Sequence, residues 1–296
     1  CDYLSIPLGN ATVGKFPDGE IDVKVDEDVR GADIFIIQPT CPPVNDSLAE
    51  LLILIDCFKR ASSARITAVL PYYGYARKDR KDEGRVPITA KLVANLITKA
   101  GADRLLTMDL HAAQIQGFFD IPVDHLLAFP VISDYYREKD LSDFVVVSPD
   151  VGGIKIARLY SNHLHMRLAV VDKRRFGPED IEVGFVIGDV EGRNAIIIDD
   201  LIATGGSICQ AARVLKEKGA KDIYVAATHP VLCGAAVEKL KEAPIKEIAV
   251  TDTIPLNEDA KGLGSKIKVL TVSNLLGEAI KRIHTNTSIS SMFTEQ

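Results

Sequence analysis

The sequence predicts an α/β protein whose sheets are mostly parallel. Short apolar runs of the kind found in buried strands alternate with segments that carry apolar residues at helical spacing. The same alternation occurs in both halves of the 296-residue chain, and polar clusters follow several of the expected strands. Alternating strands and helices favour a parallel sheet covered by helices, and in such sheets ligands bind beyond the carboxyl ends of the strands.

The first half contains three expected strands and two expected helices. Strands are predicted at residues 34–37, 66–70 and 105–110, where short apolar runs occur. A helix between the first two strands is indicated by apolar residues at i, i+3, i+4 and i+7, namely Leu48, Leu51, Leu52 and Ile55. A second helix over residues 88–98 is expected to end at Gly101, because glycine commonly terminates helices.

The second half repeats this order. Strands are predicted at residues 144–147, 168–171, 196–198 and 224–227, and part of a hairpin at residues 182–190. Helices are predicted at residues 154–164 and from residue 208 to Gly219. The similarity of the two halves predicts two domains, with a boundary between residues 117 and 134.

Composition and charge argue against several classes of protein. The hydrophobic fraction of 47% and the charged fraction of 26% are typical of globular domains, and no apolar run is long enough to span a membrane. The net charge of −6 disfavours nucleic acid as a general partner, because such binding depends on basic surface. Five scattered cysteines indicate reduced thiols and a cytoplasmic location rather than a disulfide framework.

Two carboxylates and a small-residue loop follow the strand at residues 196–198. The loop consists of Ala203, Thr204, Gly205, Gly206 and Ser207. Its glycines allow the backbone to approach a ligand closely, and its N–H groups at a helix N-terminus favour a phosphate. Asp199 and Asp200 would repel that phosphate, so they are expected to face hydroxyl groups or a cation.

A sugar phosphate would satisfy both parts of this stretch. The simpler alternative is that Ser207 only caps the helix, with Gln210 completing a capping box. The stretch from Ile198 to Ser207 resembles the ribose-phosphate-binding motif of the phosphoribosyltransferase fold. That resemblance implies that residues 203–207 bind a 5-phosphate and that Asp199 and Asp200 bind the ribose hydroxyls.

A second stretch identifies a narrower family. The sixteen residues from Asp109 to Asp124 are similar to the signature of ribose-phosphate pyrophosphokinase, also called phosphoribosyl-pyrophosphate synthetase, of the bacterial-type class I. From the residues alone, Asp109 and His111 share one face of an extended strand end and could hold Mg²⁺ or a nucleotide phosphate, although a lone histidine is more often structural. The resemblance implies that both lie at the ATP and Mg²⁺ site.

The loop after the strand at residues 66–70 carries tyrosines and then mixed charges. Tyr72, Tyr73 and Tyr75 are expected to offer a stacking surface next to phosphate-binding cations, and the alternative is a solvated charge run. The resemblance implies that Arg77 and its neighbour bind ATP. The neighbour is Lys78 here, where the family usually has Gln, so its role is less defined.

Three further stretches resemble the same family. Asp150 follows a strand and precedes two glycines, which alone suggests an N-cap, and the resemblance implies a Mg²⁺-associated carboxylate. Lys173 and Arg175 follow the next strand, where a solvated basic turn is the alternative; the resemblance implies a mobile loop with this catalytic pair, in which Arg175 also contacts ribose 5-phosphate.

The stretch from residue 15 to residue 20 would be interpreted as a turn from its residues alone. The resemblance implies that it reaches the ATP bound to a neighbouring subunit, with Phe16 on the adenine and with Asp18 and Glu20 beside it. An oligomer, expected to be a homohexamer or another dimer-based assembly with shared ATP sites, would then be necessary.

The resemblance covers nearly the whole chain and implies two similar phosphoribosyltransferase-like domains. Residues 1–122 with 280–296 would form the ATP side, and residues 123–279 the ribose 5-phosphate side. The implied reaction transfers pyrophosphate from Mg-ATP to the C1 hydroxyl of ribose 5-phosphate and yields 5-phosphoribosyl 1-pyrophosphate and AMP for nucleotide biosynthesis. Position 203 departs from many relatives, which carry a carboxylate there, so Ala203 predicts altered sugar binding rather than inactivity.

Three other functions compete with this one. A base-transferring phosphoribosyltransferase would share the loop at residues 203–207 but has no use for the stretches at residues 72–77 and 109–119. A non-catalytic subunit is disfavoured because Lys173, Arg175, His111 and Asp150 are all retained. A nucleic-acid-binding module is disfavoured by the acidic net charge.

Overall fold

The computed structural model describes residues 1–174 and 183–293. The helices are α1 (Val44–Arg60), α2 (Thr89–Ala100), α3 (Phe129–Arg137), α4 (Ile154–His163), α5 (Gly206–Glu217), α6 (Ala236–Glu242) and α7 (Ser273–His284). The strands are β1 (Ala11–Lys15), β2 (Ile21–Val25), β3 (Asp33–Ile37), β4 (Arg65–Leu70), β5 (Arg104–Met108), β6 (Val123–Leu126), β7 (Phe144–Ser148), β8 (Arg167–Arg174), β9 (Val183–Ile187), β10 (Asn194–Leu201), β11 (Ile223–His229), β12 (Glu247–Thr251) and β13 (Ile267–Leu270). Short 3₁₀ helices cover Ala113–Phe118, Glu258–Lys266 and Ser290–Phe293.

The chain forms two compact units. One comprises Cys1–Leu127 with Val272–Gln296, and the other comprises Ala128–Thr271. The domain boundaries expected from sequence, after residues 122 and 279, would place β6 and most of α7 in the second domain. Both lie in the first unit, since β6 pairs with β5 and so completes the first sheet.

The first unit is built on a four-stranded parallel sheet. The strand order is β3-β4-β5-β6, and α1 and α2 are the crossover helices between successive strands. Inward residues of β4 pack against apolar residues of both helices and form one core, as expected from the helical spacing of the first half. A separate antiparallel hairpin, β1–β2, precedes the sheet.

The predicted elements of the first half are confirmed with one shortened boundary. The helix α2 ends at Ala100, and its C-cap residue is Gly101, whose φ of 125° is a conformation that glycine adopts without a Cβ penalty. The strand expected to reach residue 110 ends at Met108, because Asp109 turns into the left-handed region with a φ of 37°.

The second unit has a seven-stranded sheet of order β13-β12-β11-β10-β7-β8-β9. All neighbouring strands are parallel except β9, which runs antiparallel to β8 and confirms the hairpin expected there. The core on one face joins inward residues of the central strands to α5 and α6. The prediction of an α/β fold with mostly parallel sheets is therefore confirmed.

The order in which the chain adds strands to this second sheet reverses once. From β7 it moves outward to β8 and β9, and it then returns to β10 on the other side of β7. The carboxyl ends of β7 and β10 consequently flank a topological switch point, which is where open α/β sheets bind their ligands. No helix among the described residues has the length and apolar character needed to cross a membrane.

Candidate active site

The loop after β10 begins the helix α5 with an exposed set of backbone donors. Gly205 is the N-cap residue, with φ 71° and ψ −1°, and no side chain of the described residues caps the helix. Ser207 lies inside the helix rather than before it, so the alternative that it only caps α5 is wrong. The first N–H groups of a helix have no intrahelical acceptor, and together with the helix dipole they favour an anion at this point.

Backbone hydrogen bonds fix the start of the same loop to the segment at residues 229–233. The Ile202 N–H donates to the His229 carbonyl at 2.9 Å, and the Leu232 N–H donates to the Ile202 carbonyl at 2.9 Å. The Cys233 N–H donates to the Ala203 carbonyl at 3.0 Å. Position 203 therefore contributes to the loop shape through its carbonyl group, whatever its side chain.

Asp199 and Asp200 form a close pair at the end of β10. The Asp199 Oδ1 accepts the Asp200 N–H at 2.9 Å, and Asp200 is only 7% exposed. Burial, the neighbouring charge and hydrogen bond of Asp200, and the charge of Asp150 raise the pKa of Asp199 to about 8. The oxygen atoms of such a pair can accept hydrogen bonds from hydroxyl groups or face a cation, and the ligand that they bind stays a prediction.

Asp150 lies at the end of β7, the strand next to β10. Its Oδ1 accepts the Gly153 N–H at 2.9 Å and supports the turn that precedes α4. The N-cap residue of α4 is Gly153 and no side chain in the described part of the chain caps this helix, so the expectation that Asp150 is an N-cap is wrong. A Cβ at Gly153 would lie 2.9 Å from the Ser148 Oγ, so a larger residue would require the Ser148 side chain to shift. Asp150 is nevertheless exposed, and its charge acts on Asp199, so both carboxylates belong to one electrostatic cluster at the switch point.

The expected catalytic pair was placed after a strand that ends at residue 171, but β8, on the other side of β7, continues to Arg174 and contains Lys173. The backbone of Lys173 lies in β8 and pairs with Gly184 of β9. Arg175 lies outside the described residues. The ends of β10, β7 and β8 thus bring together three of the motifs that the sequence singled out in this unit.

The tyrosines after β4 are part of the core, and the expectation of a stacking surface is wrong for two of them. Tyr72 and Tyr73 are buried, and the Tyr73 hydroxyl donates to the Ala90 carbonyl at 2.8 Å. The Tyr73 ring packs edge-on against Phe119 at a centroid distance of 5.8 Å. Tyr75 has a φ of 64° and hydrogen bonds to Asn45. These tyrosines shape the loop that carries the cations.

The cations of this loop are exposed. Lys78 forms an ion pair with Asp82 at 3.2 Å, and this contact lowers the pKa of the Asp82 carboxyl. Arg77 is exposed and has no hydrogen bond or ion pair to another described residue. Arg77 is therefore the more available of the two for an anionic ligand.

Asp109 and His111 do not share a strand face, which corrects the expectation from their spacing. Asp109 still donates its N–H to the Leu126 carbonyl at 3.0 Å, but its positive φ turns the chain out of β5. His111 is exposed beyond that turn, ahead of the 3₁₀ helix at Ala113–Phe118. Both residues thus lie at a tight turn at the carboxyl end of β5.

A residue that sequence reasoning missed supports this turn. The Nε2 of His125, in β6, accepts the N–H of Leu110 at 2.9 Å, and burial lowers the pKa of His125 to about 4. The available signal was a polar residue inside a short strand, directly after the sixteen-residue signature.

Phe16, Asp18 and Glu20 lie at the tip of the β1–β2 hairpin. The Phe16 N–H donates to the Glu20 carbonyl at 2.8 Å, and Gly19 has a φ of 96°. The Phe16 side chain is 49% exposed although it is aromatic. An exposed aromatic at a hairpin tip is available for contact with another molecule.

The donor groups present are compatible with Mg²⁺ bound mainly through a substrate. Among residues 1–174 and 183–293, no group of three or more His, Cys, Asp or Glu side chains forms a metal site. Mg²⁺ usually takes one or two carboxylates together with water and substrate phosphates. Asp109 in the first unit and Asp150 in the second each offer such a carboxylate, whereas the His111 imidazole is a softer ligand than a carboxylate.

Comparison with known proteins gives matches along the chain. Residues 1–101 match the N-terminal domain of ribose phosphate pyrophosphokinase, and residues 180–294 match the phosphoribosyl synthetase-associated domain. A ribose-phosphate pyrophosphokinase of Rhodopirellula baltica is 59% identical, over 100% of this chain and 94% of that protein. One from Caldanaerobacter subterraneus is 56% identical, over 99% and 92%.

A solved structure has the same arrangement of elements. The crystal structure of phosphoribosylpyrophosphate synthetase from Mycobacterium smegmatis aligns with a TM-score of 0.91 and 44% identity, covering 96% of this chain and 93% of that one.

Proposed function

Because this chain belongs to the ribose-phosphate pyrophosphokinase family of enzymes, we propose that it transfers pyrophosphate from Mg-ATP to ribose 5-phosphate. The C1 hydroxyl oxygen attacks the β-phosphorus of ATP and loses its proton to solvent. The bond from the β-phosphorus to the oxygen that bridges it to the α-phosphate breaks, and that oxygen leaves with AMP. The products are 5-phosphoribosyl 1-pyrophosphate and AMP, which suit nucleotide biosynthesis in the cytoplasm.

The switch point of the second sheet is the observation that carries this proposal. The N-terminus of α5, with Thr204, Gly206 and Ser207 exposed around it, offers donors to the 5-phosphate. Asp199 and Asp200, at the end of the preceding strand, accept hydrogen bonds from the ribose hydroxyls. One ligand with a phosphate at one end and a diol at the other satisfies both groups.

The first unit supplies groups for ATP. Arg77 is proposed to bind phosphate oxygens, with Lys78 beside it, and His111 is proposed to donate a hydrogen bond to the triphosphate. Asp109 is proposed as a Mg²⁺ carboxylate of the first unit, and Asp150 as one of the second unit. Bound to the triphosphate, Mg²⁺ would neutralise part of the charge on its oxygens.

The remaining charge is proposed to be neutralised by Lys173 and Arg175. Phosphoryl-type transfer asks the protein mainly for positioning and for donors aimed at developing negative charge. Lys173 lies in β8, the strand that pairs with β7 on the side away from β10. Phe16, Asp18 and Glu20 are proposed to complete the ATP site of a second copy in a homohexamer or another dimer-based assembly.

The reaction is tested by supplying the purified protein with Mg-ATP, ribose 5-phosphate and inorganic phosphate, and by separating the nucleotides. AMP and 5-phosphoribosyl 1-pyrophosphate should appear together, and only when the sugar is present. ADP as the product would mean an ordinary kinase. Consumption of 5-phosphoribosyl 1-pyrophosphate with a nucleobase would mean a base-transferring phosphoribosyltransferase. Light scattering of the same sample measures the size of the assembly.

A further inference from the structure

The turn that carries Asp109 and His111 is stabilised by a hydrogen bond to a side chain. In a regular strand, the acceptor of this hydrogen bond would be a backbone carbonyl. The β5–β6 ladder is regular up to Met108, which pairs with Leu126, and Asp109 adds one more backbone hydrogen bond to that strand. The next N–H, that of Leu110, donates instead to the Nε2 of His125 at 2.9 Å. Leu110 is 5% exposed, so without this acceptor its N–H would be buried and unpaired.

The far side of the His125 ring faces the element that follows His111. Its Nδ1 lies 3.4 Å from the Nε2 of Gln116, in the 3₁₀ helix at Ala113–Phe118. That helix is fixed independently: Ile115 is fully buried, and the Lys91 Nζ donates to the Phe118 carbonyl at 2.6 Å. The imidazole therefore sits between the residue before His111 and an anchored helix after it.

From this geometry we propose that His125 is a positioning residue for ATP binding. It sets the direction in which Asp109 and His111 leave the sheet by accepting the Leu110 N–H, while the other side of its ring packs against the Gln116 side chain. Its ring touches no substrate in this role, and it needs to remain a hydrogen-bond acceptor at Nε2. The inference rests on the proposed function, because it takes Asp109 and His111 to be groups of the ATP side.

The chemistry of the contact defines a matched pair of variants. His125→Gln places an amide oxygen near the position of Nε2 and can still accept the Leu110 N–H, whereas His125→Leu keeps comparable bulk and offers no acceptor. A displaced positioning contact of about 1 Å can cost about 10²-fold in rate. For His125→Leu we expect at least about a tenfold rise in the KM for ATP, with the KM for ribose 5-phosphate unchanged.

The control is His284→Leu, in α7 of the same unit. Replacing His284 also removes a hydrogen bond, from its Nδ1 to the Asp33 Oδ2 at 2.8 Å, and that bond is made to β3 rather than to the turn after β5. Its KM for ATP should stay at the value of the unsubstituted protein. Binding of Mg-ATP is measured in parallel by calorimetry without the sugar, which reports on ATP alone when turnover is too slow to follow.

The outcomes separate this inference from the proposed function. An unsubstituted protein that makes no 5-phosphoribosyl 1-pyrophosphate refutes the function itself, whatever His125 does. If that protein is active, weak ATP binding in His125→Leu with recovery in His125→Gln supports the positioning role. Equal loss of affinity for both substrates, or equal behaviour of the two variants, overturns it. If His125→Leu does not fold, His125→Asn replaces it, because its shorter amide does not reach the Leu110 N–H.

Discussion

Replacing Gly205 by alanine isolates the contribution of the loop after β10. Gly205 has a φ of 71°, and a Cβ there would lie no closer than 3.6 Å to any atom, so the added methyl meets no steric obstacle. The cost is conformational: an L-residue in the left-handed region loses about 1–2 kcal/mol relative to glycine. This corresponds to a fall in Tm of a few degrees for a unit of about 150 residues, since about 1 kcal/mol shifts Tm by about 2–4 °C.

The chain offers a matched control at the opposite end of the same strand. Gly192 precedes β10, has a φ of 70°, and has no atom of the described residues within 4 Å of an added Cβ. Gly192→Ala should therefore lower the Tm by a similar amount while leaving the loop after β10 unchanged. Only Gly205→Ala alters the direction of the first N–H groups of α5.

The assay combines thermal unfolding with steady-state kinetics on both variants. We expect similar losses of Tm, and a rise of about tenfold in the KM for ribose 5-phosphate for Gly205→Ala alone. If both variants lose stability and both keep the KM of the unsubstituted protein, the loop does not bind the 5-phosphate. If Gly205→Ala loses no stability, the left-handed conformation at this residue is wrong.

Three further predictions concern the remaining groups. Lys173→Ala should lower turnover by about 10²–10³-fold and leave ribose 5-phosphate affinity nearly unchanged; equal losses in both, measured by kinetics and by calorimetry, would contradict the catalytic role. In Asp199 the folded-state pKa of about 8 exceeds its unfolded value of about 4, so its contribution to stability is present below pH 4 and is lost as the pH rises to about 8. The Tm of the ligand-free protein should therefore fall less across this range in Asp199→Asn than in the unsubstituted protein, and identical slopes would refute the assignment. Tyr73→Phe removes a buried hydrogen bond to the Ala90 carbonyl and should cost about 1 kcal/mol of unfolding free energy by denaturant titration; a raised KM for ATP without that loss would restore the stacking interpretation.

The fold could be predicted from sequence because its signal is local and repeated. Each central strand is a short apolar run, and each crossover helix carries apolar residues on one face, so type and order follow from spacing alone. The β1–β2 hairpin escaped prediction because β1 is exposed throughout, and the apolar alternation of Ile21, Val23 and Val25 in β2 covers only five residues. The end of β5 was misplaced because a single left-handed residue, Asp109, overrides an apolar run.

The candidate site was only partly predictable. Asp199, Asp200 and residues 203–207 form one continuous stretch, so the chemistry of a sugar-phosphate site could be inferred without tertiary information. Tyr72 and Tyr73 were misinterpreted because an aromatic beside charges looks the same in sequence whether it stacks on a ligand or fills a core. His125 acts through a neighbouring strand, and no local spacing reveals a side chain that replaces a carbonyl in a ladder.

The backbone hydrogen bonds of residues 202–203 determine the conformation of that loop independently of its side chains. The path of the chain is dictated by the segment from His229 to Cys233, whereas position 203 contributes a carbonyl that every amino acid possesses. The side chain at position 203 can therefore be substituted without altering the path of the loop. Leu232 has a φ of 43°, so its segment tolerates far fewer substitutions. A saturation library should accept many residues at 203 and few at 232. The alanine found here is then one member of a permissive set.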